Sequence, residues 1–191
     1  MNKPTNYSQL IKQFIDRESL PASYSMDAER WFVPLAELCV ELLDSIPELP
    51  LCIGINGCQG SGKSTLSALL QILLRAAGRS VVLLSIDDFY LAGERRRQLA
   101  QDIHPLLQTR GVPGTHDIAQ ALNCMQQLQQ LQPGQKLALP RFDKATDEPL
   151  SADQWPQVTG PVELIIFEGW FVGSSPQIAA ELVNPVNELE A

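Results

Sequence analysis

The sequence predicts an α/β fold with three layers, in which helices cover both faces of a mostly parallel β-sheet. Three short apolar runs, at residues 51–56, 80–86 and 162–167, have the length and composition of β-strands. The second run is apolar almost throughout, as in a parallel strand that is buried on both faces. A helical periodicity at 63–77 separates the first two runs, which is the order of a right-handed βαβ unit.

The composition is that of one globular domain. The chain has 191 residues, of which 45% are hydrophobic and 19% charged, and this is enough for a substantial core. The net charge of −8 argues against a nucleic-acid-binding surface, and no apolar stretch is long enough to span a membrane. The 4 cysteines form no C-x-x-C pair, so reduced thiols and a cytoplasmic location are expected.

The chain is expected to divide near residue 50. Residues 1–50 should form a helical segment that packs on the core, and residues 51–191 should form the core itself. The strongest N-terminal helical pattern covers 27–46, and its regular part is expected to begin near Pro34. Trp31 is interpreted as a core residue of this helix.

The first apolar run leads into a glycine-rich turn that opens the helix at 63–77. Gly57, Gly62, Lys63 and Ser64 fit the pattern G-x-x-x-x-G-K-[ST] of a phosphate loop (Walker A). Glycines let the backbone curl so that successive N–H groups point at an anion, and the helix adds its positive end. Lys63 can reach the β- and γ-phosphates of a nucleotide, and the Ser64 hydroxyl can bind Mg²⁺.

The other segments are less regular. Residues 87–117 are expected to be polar and irregular, and the arginines at 95–97 are interpreted as a solvated helix face. The remaining predicted elements are a helix at 118–131, an extended piece at 137–139, a loop at 145–160 and a short helix around 176–183.

Acidic residues follow the second and third apolar runs. Asp87 and Asp88 end the second run, and Glu168 ends the third. Because ligands bind beyond the carboxyl ends of strands in an open parallel sheet, these carboxylates and Lys63 are expected at one edge. Asp87 is placed to act as the base of a phosphoryl transfer or to hold the water shell of a metal. Glu168 is placed as a metal-side carboxylate, and Asp88 is either a turn residue or a functional one.

Several stretches resemble a known family of kinases. Gly57–Ser64, Ser85–Tyr90 and Phe167–Gly169 resemble the phosphoribulokinase, uridine kinase and pantothenate kinase group of P-loop kinases. Two more specific stretches, Arg110-Gly-Val-Pro-Gly-Thr-His-Asp117 and Pro140-Arg-Phe-Asp-Lys144, resemble the D-glycerate 3-kinase branch of that group. The resemblance implies a P-loop NTPase fold and the use of ATP and Mg²⁺.

The resemblance also implies roles for individual residues. Lys63 and Asp87 are the candidate catalytic residues, Ser64 and Glu168 the candidate metal ligands. The candidate ligands of the nucleotide phosphates are Gly57, Gly60, Ser61, Gly62, Lys63, Ser64 and Thr65. The acceptor-side segments contain Arg110, His116, Asp117, Arg141, Asp143 and Lys144, whose individual roles the match does not fix.

Some acceptor-side residues also have simpler structural explanations. Arginine binds carboxylates in a bidentate manner, so Arg110, Arg141 and Lys144 are candidates to bind an acidic acceptor. The alternative for Arg141 and Lys144 is a surface ion pair with Asp143 or Asp147. Asp117 either serves the site or caps the helix that follows it. Likewise, the histidine at 116 is either a hydrogen-bonded loop residue or a proton shuttle.

These features predict an ATP-dependent kinase that phosphorylates a hydroxyl of a small acid, with D-glycerate as the leading acceptor. The alternatives are a P-loop kinase for uridine, pantothenate or a sugar phosphate, and a nucleotide-binding module without transfer activity. Members of the family continue past the third strand with further strands and a lid. The chain is therefore expected to lack these C-terminal strands and the lid.

Overall fold

The computed structural model describes residues 6–46, 50–183 and 185. At its centre lies a parallel three-stranded sheet, in which the last strand of the described ranges separates the first two. The strands are, in chain order, β1 (Leu51–Asn56), β2 (Val81–Ser85), β3 (Lys136–Ala138), β4 (Phe142–Asp143), β5 (Glu148–Pro149), β6 (Gln157–Thr159) and β7 (Leu164–Gly169).

Helices surround this sheet, and the phosphate loop connects β1 to one of them. The α-helices are α1 (Tyr7–Glu18), α2 (Tyr24–Asp27), α3 (Val33–Ser45), α4 (Lys63–Ala76), α5 (Gly93–Asp102) and α6 (Ile118–Gln130). A π-helical turn, Ala28–Phe32, joins α2 to α3, and Pro34 is the second residue of α3. Since proline cannot donate a backbone hydrogen bond, the regular helix begins there, as predicted.

The central strand β7 is apolar from Leu164 to Phe167 because both of its faces are covered. Leu164 and Ile166 pack into a core cluster with α1, α3 and α4. Ile165 packs into a second cluster on the opposite face, with α6. The alternation of side chains along a strand places Glu168 on the same face as Leu164 and Ile166, the face that α4 covers.

Two small antiparallel sheets of two strands each accompany the main sheet. Strand β3 pairs with β6, and strand β4 pairs with β5, both in antiparallel fashion. The β4–β5 hairpin carries the predicted acceptor-side segment Arg141–Lys144. The prediction of a loop across 145–160 was therefore wrong, because β5, β6 and a short 3-10 turn at Ala152–Gln154 lie within it.

Two other predictions were wrong about helices. Residues 87–117 are not irregular throughout, because they include the 3-10 turn Ile86–Phe89 and the helix α5. The short helix expected around 176–183 is only a 3-10 turn, Ala179–Leu182. Helix α5 was missed because its sequence is almost entirely polar, so no apolar stripe marked it.

Trp31 was also wrongly interpreted as a core residue. Its side chain is 57% exposed, whereas Ala28, Ala36 and Cys39 are buried. The inner face of this helical segment is formed by these small side chains and by Leu43, and Trp31 lies on the opposite face. No helix within the described ranges is both long enough and apolar enough to cross a membrane. The division of the chain at residue 50 stays a prediction.

Candidate functional site

The phosphate loop has the backbone conformation that an anion-binding turn requires. Gly60 and Gly62 have φ values of 77° and 85°, a region that residues with a side chain rarely adopt. A Cβ atom on Gly57 would lie 2.5 Å from the hydroxyl oxygen of Ser61, so the loop is also closely packed there. Lys63 begins α4, and Thr65 lies in its first turn. The loop therefore places backbone amides and a helix N-terminus around one point, which suits a phosphate.

Ser64 connects this loop to the central strand. Its hydroxyl donates a hydrogen bond of 3.0 Å to Oε1 of Glu168. Glu168 is only 5% exposed, and its second oxygen, Oε2, is buried without a partner among the described residues. An unsatisfied buried carboxylate oxygen is costly and calls for a cation or an ordered water.

Asp87 lies on the 3-10 turn that follows β2, and Lys144 contacts it. The Nζ atom of Lys144 lies 2.6 Å from Oδ2 of Asp87. Burial opposes ionisation of Asp87, but Lys144, Tyr90 and Lys63 outweigh it and lower the pKa of this carboxyl. Asp87 is therefore a carboxylate at neutral pH, and the charge of the phosphate-loop lysine reaches it.

Asp88 pairs with the other basic residue of the hairpin segment. Arg141 donates a hydrogen bond of 3.1 Å to Asp88. Burial raises the pKa of Asp88, and Arg141 opposes that rise. The surface pairs of Arg141 and Lys144 with Asp143 or Asp147, considered from the sequence, are not formed. Instead, the hairpin is tied to both aspartates at the end of β2.

Asp147 holds two arginines and was not predicted to do so. It accepts hydrogen bonds from Arg96, at 2.7 Å, and from Arg110. Arg96 is 1% exposed and also donates to the carbonyl oxygens of Leu91 and Gln108. One arginine of the run at 95–97 is thus buried, which corrects its interpretation as part of a solvated face. The sequence carried no signal for this, because its neighbours in the run are also arginines.

An aromatic layer lies next to Asp87. The ring of His116 stacks on Tyr90 at a centroid distance of 4.3 Å, and Phe142 meets Tyr90 edge-on. Neither ring nitrogen of His116 has a hydrogen-bond partner among the described residues, so it is not the hydrogen-bonded loop histidine considered above. Burial lowers the pKa of His116, so its ring is neutral at pH 7. His116 also lines a mainly apolar cavity of about 510 Å³, which does not suit a small hydrophilic acid.

Two of the predicted acceptor-side residues have structural tasks. Asp117 caps α6, because its Oδ1 accepts a hydrogen bond of 2.8 Å from the backbone of Gln120. Asp143 closes the β4–β5 turn by accepting from the backbone of Ala145 at 2.9 Å and from the hydroxyl of Thr146 at 2.8 Å. Both carboxylates are therefore accounted for by the local fold.

The predicted residues thus converge at the carboxyl ends of β1, β7 and β2, as expected for an open parallel sheet. The phosphate loop follows β1, Glu168 ends β7, and Asp87 follows β2. Tyr90 and Asp147 were missed as members of this site. A fold of this class, with a phosphate loop and acidic strand ends, is that of the P-loop NTPases, which include the P-loop kinases.

The comparisons identify the relatives. No protein-family model matches the chain. It is 34% identical over 151 residues to the chloroplastic D-glycerate 3-kinase of Arabidopsis thaliana, an alignment that covers 75% of this chain and 32% of that protein. It is 36% identical over 134 residues to the uncharacterized kinase mug58 of Schizosaccharomyces pombe, covering 66% of this chain and 48% of the relative.

A solved structure of a D-glycerate 3-kinase is also similar to this chain. The D-glycerate 3-kinase of Cryptococcus neoformans superposes with a TM-score of 0.68 and 30% identity, covering 79% of this chain and 56% of the other. The predicted α/β class and the resemblance to P-loop kinases, nearest the D-glycerate 3-kinase branch, are thereby confirmed. The chain spans from a third to about half of the length of the two curated relatives described.

Proposed function

We propose that the chain is the nucleotide- and acceptor-binding part of an ATP-dependent kinase that phosphorylates a hydroxyl group of D-glycerate. The observation that carries most weight is the convergence of Lys63, Asp87 and Glu168 at one sheet edge. Relatives named as kinases, and a D-glycerate 3-kinase among them, support the same reaction. A cytoplasmic location is part of this proposal.

In the reaction, the acceptor hydroxyl loses its proton to Asp87. The oxygen then forms a bond to the γ-phosphorus of ATP while the bond from that phosphorus to the β,γ-bridging oxygen breaks. ADP leaves with the electron pair of the broken bond. Lys63 and the amides of the phosphate loop stabilise the charge on the phosphates, as in other P-loop enzymes. Asp87 suits the role of base because it is ionised at neutral pH.

The residues present fit a bound Mg²⁺. Ser64 and Glu168 would hold it, directly or through water, beside the phosphates, and the unpartnered Oε2 of Glu168 would gain a partner. Mg²⁺ would supply further neutralisation of the phosphate charge. Within the described ranges, no group of 3 or more His, Cys, Asp or Glu side chains is arranged to hold a metal. Phosphate and water oxygens would therefore complete the coordination, which is the usual arrangement for Mg²⁺.

The basic side chains near Asp87 favour an anionic acceptor. Lys144, Arg141 and Arg110 all lie on the acceptor side, in a chain whose net charge is −8. Such a cluster of cationic side chains has a use if the acceptor carries a carboxylate. Each of the three is paired with an aspartate, but Lys144 is 60% exposed, whereas Arg141 and Arg110 are 29% and 31% exposed, so Lys144 is the best candidate to contact that carboxylate.

Measurement of ADP release with a panel of acceptors tests the proposed reaction. With Mg²⁺ and ATP, D-glycerate is expected to raise the rate at least about tenfold above the rate without acceptor. Uridine, pantothenate and ribulose 5-phosphate serve as matched alternatives. Stimulation by one of these instead would assign another acceptor. A rate that no acceptor changes would favour a nucleotide-binding module.

The Glu168→Gln variant tests the metal assignment. The amide keeps the shape of the side chain but loses the charge that faces the cation. The Mg²⁺ concentration for half-maximal activity is expected to rise by about tenfold or more. Asp153→Asn is the control, because it removes one exposed carboxylate outside the site. Equal Mg²⁺ dependence in the two variants would show that Glu168 does not serve the metal.

A further inference from the structure

Lys144 occupies an unusual position for an acceptor-side lysine, because it forms an ion pair with Asp87, the proposed base. It lies in the turn of the β4–β5 hairpin, with Nζ 2.6 Å from Oδ2 of Asp87. Its side chain is 60% exposed, whereas that of Asp87 is 28% exposed. In this state Asp87 has a full positive charge as its partner. A carboxylate held in that way is a weaker proton acceptor than a free one.

The backbone that carries Lys144 is held firmly in place. Asp147, three residues further along, binds the buried Arg96 and also Arg110. Glu148 accepts a hydrogen bond of 3.1 Å from the backbone N–H of Gly93, at the start of α5. On the other side of the turn, Arg141 is paired with Asp88. The hairpin is therefore attached at both ends.

The side chain of Lys144 has much more freedom than its backbone. Among the described residues, Asp87 is its one hydrogen-bond and ion-pair partner. Its side chain is mostly exposed to solvent, so rotation about its own bonds is enough to move the ammonium group. Because the lysine end of this pair is exposed and flexible, its ammonium group can exchange one carboxylate partner for another. Another carboxylate that enters the site can thus compete with Asp87 for the ammonium group of Lys144.

We propose that Lys144 makes the proposed base available in response to the charge of the acceptor. Without an acceptor, Lys144 stays on Asp87. The carboxylate of a bound hydroxy acid attracts the ammonium group, and Asp87 is then free to accept the proton of the hydroxyl group. This inference rests on the proposed function, since it concerns the same site and the same transfer of the γ-phosphoryl group from ATP.

The arrangement would select against acceptors without a negative charge. Glycerol has the carbon chain and hydroxyl groups of glycerate but lacks the carboxylate, so it would leave Lys144 on Asp87. Water would do the same, which would restrain wasteful hydrolysis of ATP. The acceptor carboxylate would therefore contribute to the rate of transfer as well as to binding.

The Lys144→Gln variant separates this role from simple binding. Wild type is expected to prefer D-glycerate to glycerol strongly, as judged by kcat/KM. In Lys144→Gln, the KM for D-glycerate should rise at least about tenfold, and the preference over glycerol should fall by about tenfold or more. ADP release without acceptor should increase several-fold, to roughly five times the wild-type rate, because Asp87 is no longer paired.

Two further variants complete the experiment. Lys144→Arg keeps the positive charge and is expected to restore most of the preference for D-glycerate. Lys136→Gln removes an exposed lysine of strand β3, outside the site, and is expected to change none of these values. Rescue by arginine would not be seen if position 144 only served the shape of the turn.

The results that would overturn the inference differ from those that would overturn the proposed function. An unchanged ratio of D-glycerate to glycerol in Lys144→Gln, with wild type active, would refute the inference and leave the kinase assignment intact. An equal loss of rate with every acceptor and with water would also refute it. If wild type is not stimulated by D-glycerate at all, the proposed function is wrong and the inference falls with it.

Discussion

Replacement of Asp87 by asparagine is expected to lower kcat for acceptor phosphorylation by at least about a hundredfold, because a positioned base contributes roughly 10²–10⁴ to such a rate. The amide has nearly the same shape but cannot take a proton. The phosphate loop lies on a different strand end, so the Kd for ATP should stay within about twofold of wild type. Single-turnover rates and equilibrium binding of ATP to the same preparations measure the two effects separately.

Asp88→Asn is the matched control for this experiment. It makes the same chemical change at the neighbouring residue, which is paired with Arg141. We expect a loss of less than about tenfold in kcat, together with a higher KM for the acceptor. Near-wild-type turnover in Asp87→Asn would show that another group, or none, removes the proton. A parallel loss of ATP binding would place Asp87 in the nucleotide site.

Replacement of Arg96 by methionine is expected to lower the free energy of unfolding by about 3 kcal/mol, because three carbonyl oxygens and the carboxylate of Asp147 would lose the buried guanidinium group that donates to them. Arg96 is 1% exposed and donates to the carbonyl oxygens of Leu91, Gln108 and Asp147. Methionine fills much of the same space but donates nothing. Urea denaturation followed by circular dichroism gives the change, provided that the slope of the transition is unaltered.

Arg97→Met is the control for Arg96→Met, because it makes the same substitution at the next, exposed position. Its effect should stay within about 0.5 kcal/mol, as for most surface changes. Since Asp147 also holds Arg110, the Arg96 variant should raise the KM for the acceptor as well. Equal stability of the two variants would mean that the buried arginine is not needed to join α5 to the hairpin.

The sequence identified the parts of the fold that depend on local pattern. The strand at 51–56, the helix after the phosphate loop and the acidic ends of the later strands were all predicted within a few residues. Apolar runs and glycine spacing are sufficient for this, because they reflect burial and backbone conformation directly. The same reasoning placed Lys63, Asp87 and Glu168 at one edge of the sheet.

Such patterns do not predict which residues pair with the charged side chains. Lys144 was predicted at the acceptor side, but its contact with Asp87 depends on a hairpin whose strands are only two residues long. Arg96 is distinguished from Arg95 and Arg97 only by the direction in which a polar helix happens to face. Trp31 was misjudged because size and hydrophobicity alone do not decide which face of a helix is buried.

The order of the strands bears on how the molecule is made. Glu168 meets Ser64 although the two are 104 positions apart, since β7 fills the gap between β1 and β2. During synthesis, β1 and β2 therefore leave the ribosome before β7, the strand with which both of them pair. Such long-range pairing slows folding and prolongs the exposure of hydrophobic segments and unpaired strand edges. Nascent chains stalled before residue 164 should accordingly depend on chaperones, and those stalled well after 169 should depend on them less.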